Sequence, residues 1–156
     1  FNVKTDWSDT AALAEQAKAL LGRSGENLNI TPPFYCDYGS NIEVGDNFYT
    51  NFNCTITDVA RVTIGNNVMF GPNVCVCTAG HPVHPEPRNS GVEYGISISI
   101  GDNCWIGGNV FVNPGVHIGR NVVIGSGSVV TKDIPDNVIA AGVPCRNLRT
   151  RIESFF

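Results

Sequence analysis

Apolar side chains return every six residues along the second half of the chain. The positions in this register are Ile100, Ile106, Val112, Ile118, Ile124 and Val130. Small or β-branched side chains follow each of them four residues later, at Cys104, Val110, Val116, Val122, Ser128 and Ile134. The same register appears earlier at Ile64, Phe70 and Val76, and less regularly around Val44 and Ile56. The repeat therefore covers most of residues 40–141 and decides the fold prediction.

The residues beside these positions exclude a helix for the repeat region. A helix needs apolar residues about 3.6 apart and few glycines, whereas glycine or another small residue accompanies most of the β-branched ones here. Short strands that end in tight turns fit both residue types, and three such strands form one triangular coil. We predict a mainly β fold, a parallel β-helix of hexapeptide repeats. Its left-handedness is implied by the known fold of this motif, because parallel connections are otherwise almost always right-handed.

Outside the repeat, the sequence predicts one helix and a tail. Ser8, Asp9 and Thr10 precede a run with apolar residues on one face, and Gly22 ends it, which indicates a capped helix over 8–22. We expect residues 1–28 to form an N-terminal helical segment and residues 29–156 to form the β-helix domain with a C-terminal tail. The helix and the tail can each cover an end or a flank of the coil.

One segment, residues 81–94, breaks the six-residue period. It contains three prolines and five charged or imidazole side chains before the repeat resumes at Ile98. Long loops in an otherwise regular solenoid usually carry function. We therefore predict a protruding loop near 81–95 that contributes to the functional site.

Composition narrows the class of protein. With 156 residues, of which 42% are hydrophobic, the chain suits a single domain. A formal net charge of -4 argues against a nucleic-acid surface, and no apolar run is long enough to span a membrane. The six cysteines lack zinc-ligand spacing, so we expect free thiols and no required metal. Because free thiols suit a reducing compartment, we also expect a cytoplasmic location. The sequence begins at Phe1 rather than Met, and we expect further residues upstream of it.

Several motifs, taken in order, resemble those of one enzyme family. They are Tyr49-Thr-Asn51-Phe-Asn53, Phe70-Gly-Pro-Asn73, Ala79-Gly-His81-Pro-Val-His84, Arg88-Asn-Ser-Gly-Val-Glu93-Tyr94-Gly, Trp105-Ile-Gly, Gly125-Ser-Gly-Ser-Val-Val-Thr131-Lys132-Asp and Ala141-Gly-Val-Pro-Cys-Arg146. From Phe1 to about Arg149 the chain resembles the galactoside and maltose O-acetyltransferases. The resemblance implies direct acetyl transfer from acetyl-CoA to a sugar-like hydroxyl, in a homotrimer with active sites between subunits.

His81 is the candidate general base of this reaction. A hydroxyl that attacks a thioester must lose its proton, and imidazole titrates near neutrality. By resemblance, Asn51 lies near the acetyl group, where its amide can donate to the developing oxyanion. We expect His84 to be a loop residue or a second contact to the acceptor, and His117 to be a turn residue of the coil.

The resemblance also implies binding residues for both substrates. Those for the acceptor are Asp37, Asp58, Glu93 and Tyr49. Those for the pantetheine arm, where small residues permit close approach, are Trp105, Gly107, Gly108 and Ser126. Those for the phosphates of the nucleotide end are Thr131, Lys132, Arg146 and Arg149. The two arginines would point to one side if the tail turned helically.

Other functions remain open at this point. An acetyltransferase for a different hydroxyl, that of serine or of an antibiotic, would share the base and the donor site. A γ-type carbonic anhydrase would use histidines of neighbouring coils to bind a metal, but only His117 lies on a regular repeat. A non-catalytic repeat protein would be expected to lack the histidine, the loop and the basic tail together. An acetyl-cysteine intermediate on Cys75 or Cys77 is conceivable, although the resemblance favours direct transfer.

Overall fold

The computed structural model describes residue 2 and residues 6–149. The first elements in chain order are α1 (Thr10–Leu20), β1 (Arg23–Ser24), β2 (Asn29–Ile30), β3 (Phe34–Cys36), β4 (Ile42–Val44), β5 (Tyr49–Thr50), β6 (Cys54–Thr57), β7 (Val62–Ile64), β8 (Met69–Phe70), β9 (Cys75–Cys77) and β10 (Ala79–Gly80). They are followed by α2 (Pro85–Asn89), β11 (Tyr94–Gly95), β12 (Ile98–Ile100), β13 (Trp105–Ile106), β14 (Phe111–Val112), β15 (His117–Ile118), β16 (Val123–Ile124), β17 (Val129–Val130), β18 (Ile139–Ala141) and β19 (Arg146–Arg149).

All the strands except β10 and β11 form three sheets, one on each side of a triangular prism. Sheet A has the order β1-β4-β7-β12-β15, sheet B the order β2-β5-β8-β13-β16-β18-β19, and sheet C the order β3-β6-β9-β14-β17. Neighbouring strands are parallel except β18 and β19. The chain visits sheets A, B and C in turn, which confirms the parallel β-helix predicted from the repeat.

The apolar positions of the repeat point into the prism. The six positions from Ile100 to Val130, and the six that follow them by four residues, are all 4% exposed or less. The rings of Phe48 and Phe70 meet edge to face inside, with centroids 5.2 Å apart. The one polar member, Ser128, donates to the carbonyl of Gly125 and accepts from the amide of Gly142, so its burial leaves no unpaired hydroxyl.

Asparagines form a hydrogen-bonded ladder along the corner between sheets A and B. Each side-chain amide nitrogen donates to the amide oxygen of the next asparagine, at 2.8–3.2 Å. All six members have positive φ angles of 54–61°, a conformation that asparagine tolerates better than most residues. The ladder comprises Asn27, Asn47, Asn67, Asn103, Asn121 and Asn137. These side chains therefore satisfy both the turn geometry and the stacking of the coils.

The helix α1 covers the first coil, as the sequence predicted. The Asp9 side chain accepts a hydrogen bond from the amide of Ala12 at 3.0 Å and so caps the helix. Leu13 and Ala17 are the buried residues of this helix. The coil begins at β1, within the predicted helical segment 1–28, because Arg23 already pairs with Glu43 of β4. Neither α1 nor α2, the helices of the described part, is long and apolar enough to cross a membrane.

The described part of the tail, up to Arg149, is a strand, so the helical turn considered for Arg146 and Arg149 is wrong. Gly142 reverses the chain with a φ of 104°, and β19 then pairs antiparallel with β18. A sheet edge presents unpaired backbone groups, and a returning strand satisfies them better than a helical turn would. The tail therefore covers the edge of sheet B.

Replacing Asn103 with alanine should destabilise the coil by about 1–3 kcal/mol. Alanine is strained at a φ of 58°, and two ladder hydrogen bonds are lost. Urea unfolding followed by circular dichroism measures the change. Asn103→Gly is the matched control, because glycine accepts the backbone conformation and removes only the ladder contacts. An alanine variant as stable as the parent chain would show that the ladder contributes nothing.

Candidate active site

Four of the predicted site residues meet at the corner between sheets C and A, which we call the histidine edge. Asp37 follows β3, Asp58 follows β6, and the segment that carries His81 and Glu93 follows β9. Because β3, β6 and β9 are neighbours in sheet C, the residues that follow them stack along one edge of the prism. The fold therefore brings the candidate base together with three of the predicted acceptor residues.

Residues 78–97 leave the coil as one ordered excursion, which contains the predicted loop. β10 pairs antiparallel with β11, and α2 lies between them. His84 caps α2 by accepting from the amide of Glu86 at 3.4 Å, and Pro85 occupies the first turn, where its missing N–H has no partner to lose. The guanidinium of Arg88 donates to two loop carbonyls at 2.8 and 3.3 Å. His84 is thus a loop residue whose ring nitrogen is engaged in capping.

The His81 imidazole is oriented by one backbone carbonyl. Its Nδ1 lies 2.9 Å from the carbonyl oxygen of Val92, and a carbonyl can only accept, so Nδ1 carries the proton of the neutral ring. Nε2 is then the nitrogen with a free lone pair. It lies 3.9 Å from Oε1 of Glu93, and both side chains are about half exposed. This arrangement leaves a proton-accepting nitrogen open to a ligand at the histidine edge.

Asp58 is fully buried, unlike the other predicted acceptor residues. Its Oδ1 accepts from the amides of Asp37 and Tyr38 at 3.0 and 2.9 Å, and its Oδ2 accepts from the amide of Asn41 at 3.2 Å. The Asn41 side chain donates in return to the Asp58 carbonyl at 2.8 Å. The carboxylate therefore fastens the loop that presents Asp37, and it has no surface exposed to an acceptor.

Asp37 is exposed and faces other carboxylates. Partial desolvation raises its pKa, and the charges of Asp58 and Glu93 raise it further. Asp37 follows β3 and Glu93 lies in the excursion that follows β9, so both carboxyl groups lie on the histidine edge with His81. Two exposed carboxyl groups next to a base can accept hydrogen bonds from neighbouring hydroxyls of a polyol.

A groove runs along a different corner, between sheets B and C. It has a volume of about 460 Å³. Its lining residues are Tyr49, Asn51, Met69, Phe70, Gly71, Pro72, Trp105, Gly108, Asn109 and Ser126. The outer column of sheet B supplies Tyr49, Met69 and Trp105, which are register neighbours. We call this corner the groove edge.

Close approach of successive coils shapes the groove. A Cβ on Gly107 would lie 2.6 Å from the backbone nitrogen and 2.7 Å from the hydroxyl of Ser126, so a larger residue would displace the neighbouring coil. Of the residues predicted for the pantetheine arm, Trp105, Gly108 and Ser126 line the groove, whereas Gly107 is buried and does not. The sequence reasoning missed Met69, Pro72 and Asn109, which also line it. The six-residue register could have identified Met69, because it occupies the column between Tyr49 and Trp105.

The side chain of Asn51 is half-buried in the groove. Its Oδ1 accepts a hydrogen bond from the amide of Phe52 at 2.8 Å. Because the oxygen is held in this way, the Nδ2 group is directed away from that contact and can donate to a bound oxygen.

The residues predicted to bind the phosphates lie in two different places on the prism. Thr131 and Lys132 follow β17, at the exposed upper end of the histidine edge. Arg146 is exposed at the start of β19 in sheet B, and its guanidinium donates to the carbonyl of Cys145 at 3.0 Å. For Arg149 only the backbone lies within the described part of the chain.

A single chain does not bring the two halves of the predicted site together. Asn51 and Asp58 mark the two ends of the same side of the prism, with seven residues from one to the other. At about 3.3 Å per residue, roughly 20 Å separates the groove edge from the histidine edge. His81 and Asn51, both predicted to be catalytic, therefore lie at opposite corners of the prism, on either side of sheet C.

The remaining candidate groups have structural partners. Nδ1 of His117 lies 2.8 Å from the hydroxyl of Ser99, and its backbone amide donates to Asp133. In the described part of the chain, residue 2 and residues 6–149, no group of three or more histidine, cysteine or acidic side chains is arranged to hold a metal ion. Burial raises the pKa of the Cys75 thiol to about 11, with further contributions from Cys77 and Cys54, so Cys75 is not an activated nucleophile.

Comparison with known proteins agrees with this architecture. Residues 97–132 match the family described as bacterial transferase hexapeptide (six repeats). The chain is 58% identical to the galactoside O-acetyltransferase of Escherichia coli strain K12 over 132 residues, which are 85% of this chain and 65% of that enzyme. It therefore spans about two thirds of the length of that relative.

Two solved structures are also similar. A maltose O-acetyltransferase from Clostridium difficile 630 superposes with a TM-score of 0.94 at 48% identity, covering 96% of this chain and 80% of that one. A galactoside acetyltransferase in complex with coenzyme A superposes with a TM-score of 0.93 at 49% identity, covering 98% and 78%. These matches confirm the left-handed coil.

The fold and its repeat define the class of hexapeptide-repeat transferases. At this identity and coverage, the chain belongs to the galactoside and maltose O-acetyltransferase family, which confirms the resemblance seen in the sequence.

Cys36 and Cys75 should react slowly with iodoacetamide at pH 8. Burial raises the pKa of each thiol to about 11, so the thiolate fraction is roughly a hundredfold below that of an ordinary thiol. The rates should rise as the pH approaches 11. Peptide mass spectrometry after timed labelling measures this, with the urea-denatured chain as the control. Rapid labelling of Cys75 in the folded chain would revive the acetyl-cysteine route.

Proposed function

We propose that this chain transfers the acetyl group of acetyl-CoA to a hydroxyl of a sugar-like acceptor, with His81 as general base. The observation that carries the proposal is the hydrogen bond from His81 Nδ1 to the Val92 carbonyl, because it leaves Nε2 free to accept a proton. Family membership and the coenzyme A complex of a relative support the donor. The names of the galactoside and maltose enzymes support a sugar-like acceptor.

The proposed reaction proceeds without a covalent enzyme intermediate. The acceptor hydroxyl attacks the thioester carbon while Nε2 of His81 takes its proton, and a carbon–oxygen bond forms. The amide of Asn51 donates to the oxyanion of the tetrahedral intermediate. As the carbon–sulfur bond breaks, the imidazolium returns the proton to the sulfur. The products are the acetyl ester and the free thiol of coenzyme A.

The carboxyl groups at the histidine edge would hold the acceptor. Asp37 and Glu93 would accept hydrogen bonds from hydroxyls next to the reacting one. Glu93 would also attract the positive charge that His81 gains during transfer, since its oxygen lies 3.9 Å from Nε2. We assign Asp58 a supporting role, because its buried carboxylate holds the Asp37 loop. Tyr49 would contact the acceptor from the groove edge.

The groove would hold the donor. Trp105 offers an exposed apolar surface to the pantetheine arm, which would lie along the groove beside Gly108 and Ser126. Gly107 would support the groove from within, because its lack of a side chain lets Ser126 of the next coil pack against it. We propose that the cationic side chains reach the phosphates at the nucleotide end. These residues are Lys132, Arg146 and Arg149, with the hydroxyl of Thr131 beside them.

We further propose that the active form is a homotrimer with sites between copies. The two halves of the site lie on opposite edges of sheet C, so a site is complete only where the histidine edge of one copy meets the groove edge of another. The outer surface of sheet C carries an uncharged register column, Tyr35, Thr55, Cys75, Phe111 and Val129. Sheet A instead carries the ion pairs of Glu43 with Arg23 and Arg61. A three-sided arrangement with sheet C inward gives each copy two such contacts.

His81→Ala should lower kcat roughly a hundredfold or more while leaving acetyl-CoA binding intact, as expected for the loss of a general base. Thiol release from acetyl-CoA would be measured with galactosides, glucosides, maltose, serine and chloramphenicol as acceptors. His84→Ala is the control from the same loop and should retain transfer. If acetyl-CoA binding by His81→Ala fell by as much as its turnover, the assignment of His81 as general base would be wrong. Thiol release with serine or chloramphenicol, and with none of the sugars, would show that the acceptor is not sugar-like.

Mixing two inactive variants tests whether the site is shared. Chains with His81→Ala and chains with Asn51→Ala, refolded together in equal amounts, should regain about a quarter of the parent activity. The reason is that a quarter of random interfaces combine an intact histidine edge with an intact groove edge. Each variant refolded alone is the control. A mixture no more active than the average of the two would indicate a site within one chain.

A further inference from the structure

Tyr94 lies next to the candidate site and takes no part in the proposed chemistry. It is the first residue of β11 and pairs with Gly80 of β10, the residue directly before His81. β10 and β11 are only two residues long each. So short an antiparallel ladder is marginal by itself, and side-chain packing must help to hold it.

The Tyr94 ring packs on the backbone of Gly80. A Cβ on Gly80 would lie 2.6–2.8 Å from the Cε2, Cζ and hydroxyl oxygen of Tyr94, closer than real atoms approach. Gly80 is not in the left-handed region. Glycine is therefore required here for space, because the ring occupies the volume that any side chain would need.

The strand that carries Tyr94 is fixed to the coil on its other side. A Cβ on Gly95 would lie 3.0–3.1 Å from atoms of Ala60 and Val59. The next residue, Ile96, donates its amide to the carbonyl of Thr78 at 2.9 Å. β11 is thus seated on the coil, and the ring of Tyr94 extends from this fixed strand over β10.

His81 depends on this strand for its orientation. Its imidazole is about half exposed, so packing restrains it weakly. Its hydrogen-bond acceptor is the Val92 carbonyl and its neighbouring carboxylate is Glu93, the two residues that precede Tyr94. Any slip of β11 against β10 would move both groups away from the ring of His81.

We propose that Tyr94 is a positioning residue, whose ring locks β10 against β11 and thereby holds His81 in the tautomer with Nε2 free. This proposal rests on the proposed function for its effect on catalysis. It also makes a claim about the imidazole that is independent of activity.

Tyr94→Ala and Tyr94→Phe test the proposal, with Val83→Ala as the control. Val83 lies in the same excursion and its side chain is 91% exposed. Tyr94→Ala should lower kcat by roughly ten- to a hundredfold, since small misplacements of a catalytic group have effects of this size. The acetyl-CoA KM and the thermal unfolding midpoint should stay near those of the parent. Tyr94→Phe retains the ring carbons and should behave like the parent.

Nitrogen-15 NMR of the histidine side chains supplies the readout that does not depend on turnover. The parent and Tyr94→Phe should show His81 as a single tautomer protonated at Nδ1, and Tyr94→Ala should show a mixture. His81→Ala identifies the signal among the three histidines. Parent-like turnover and a single tautomer in Tyr94→Ala would overturn the proposal, as would equal losses in the alanine and phenylalanine variants. A parent chain without His81-dependent transfer would refute the proposed function, while the NMR comparison would still decide the role of Tyr94.

Discussion

Hydrogen bonding between the backbones of successive coils is the constraint on which this structure depends. On each side of the prism an amide binds the carbonyl of the neighbouring coil, as in the bonds from Gly65 to Ile100 and from Gly101 to Ile118, at 2.9 and 2.8 Å. This pairing fixes the backbone of the three sides, and the interior is filled mainly by apolar side chains. The chain has freedom only at the corners. Most candidate functional residues therefore lie at a corner or in the excursion that begins at one, while Tyr49, Trp105, Arg146 and Arg149 lie on strands of sheet B.

The corners serve different purposes. The corner between sheets A and B is occupied by the asparagine ladder and is structural. The other two corners carry the candidate site, with carboxylates and an imidazole on one and an apolar groove with an amide on the other. Separating them by the width of sheet C keeps the imidazole and the groove apart in an isolated chain. Assembly of copies is then a condition of the proposed activity.

The sequence was sufficient for the coil, its inward positions and the existence of the excursion, because all three follow from a period or from its interruption. The cap at Asp9 was also predictable, since it depends only on the residues beside it. The burial of Asp58 was not, because its partners are backbone amides about 20 residues away. Nor was the strand at Arg146, which forms in response to an open sheet edge that only the assembled coil creates. The division of the site between two corners was not predicted from the repeat. It becomes visible only when each six-residue unit is assigned to one of the three sides of the prism, which the period alone does not do.

The excursion is inserted into the coil without disturbing it. Asn67 and Asn103 are hydrogen-bonded neighbours although 36 residues separate them, and Asn103 and Asn121 are the same kind of neighbours with a separation of 18. β7 and β12 pair in register across the insertion as any two strands of sheet A do. The register of the coil is therefore independent of the length of the excursion, whose two ends are held to the coil at Thr78 and Ile96. Under the proposed function, such a chain can change its acceptor by exchanging one surface segment, while the groove proposed for the donor lies at another corner and keeps its lining residues.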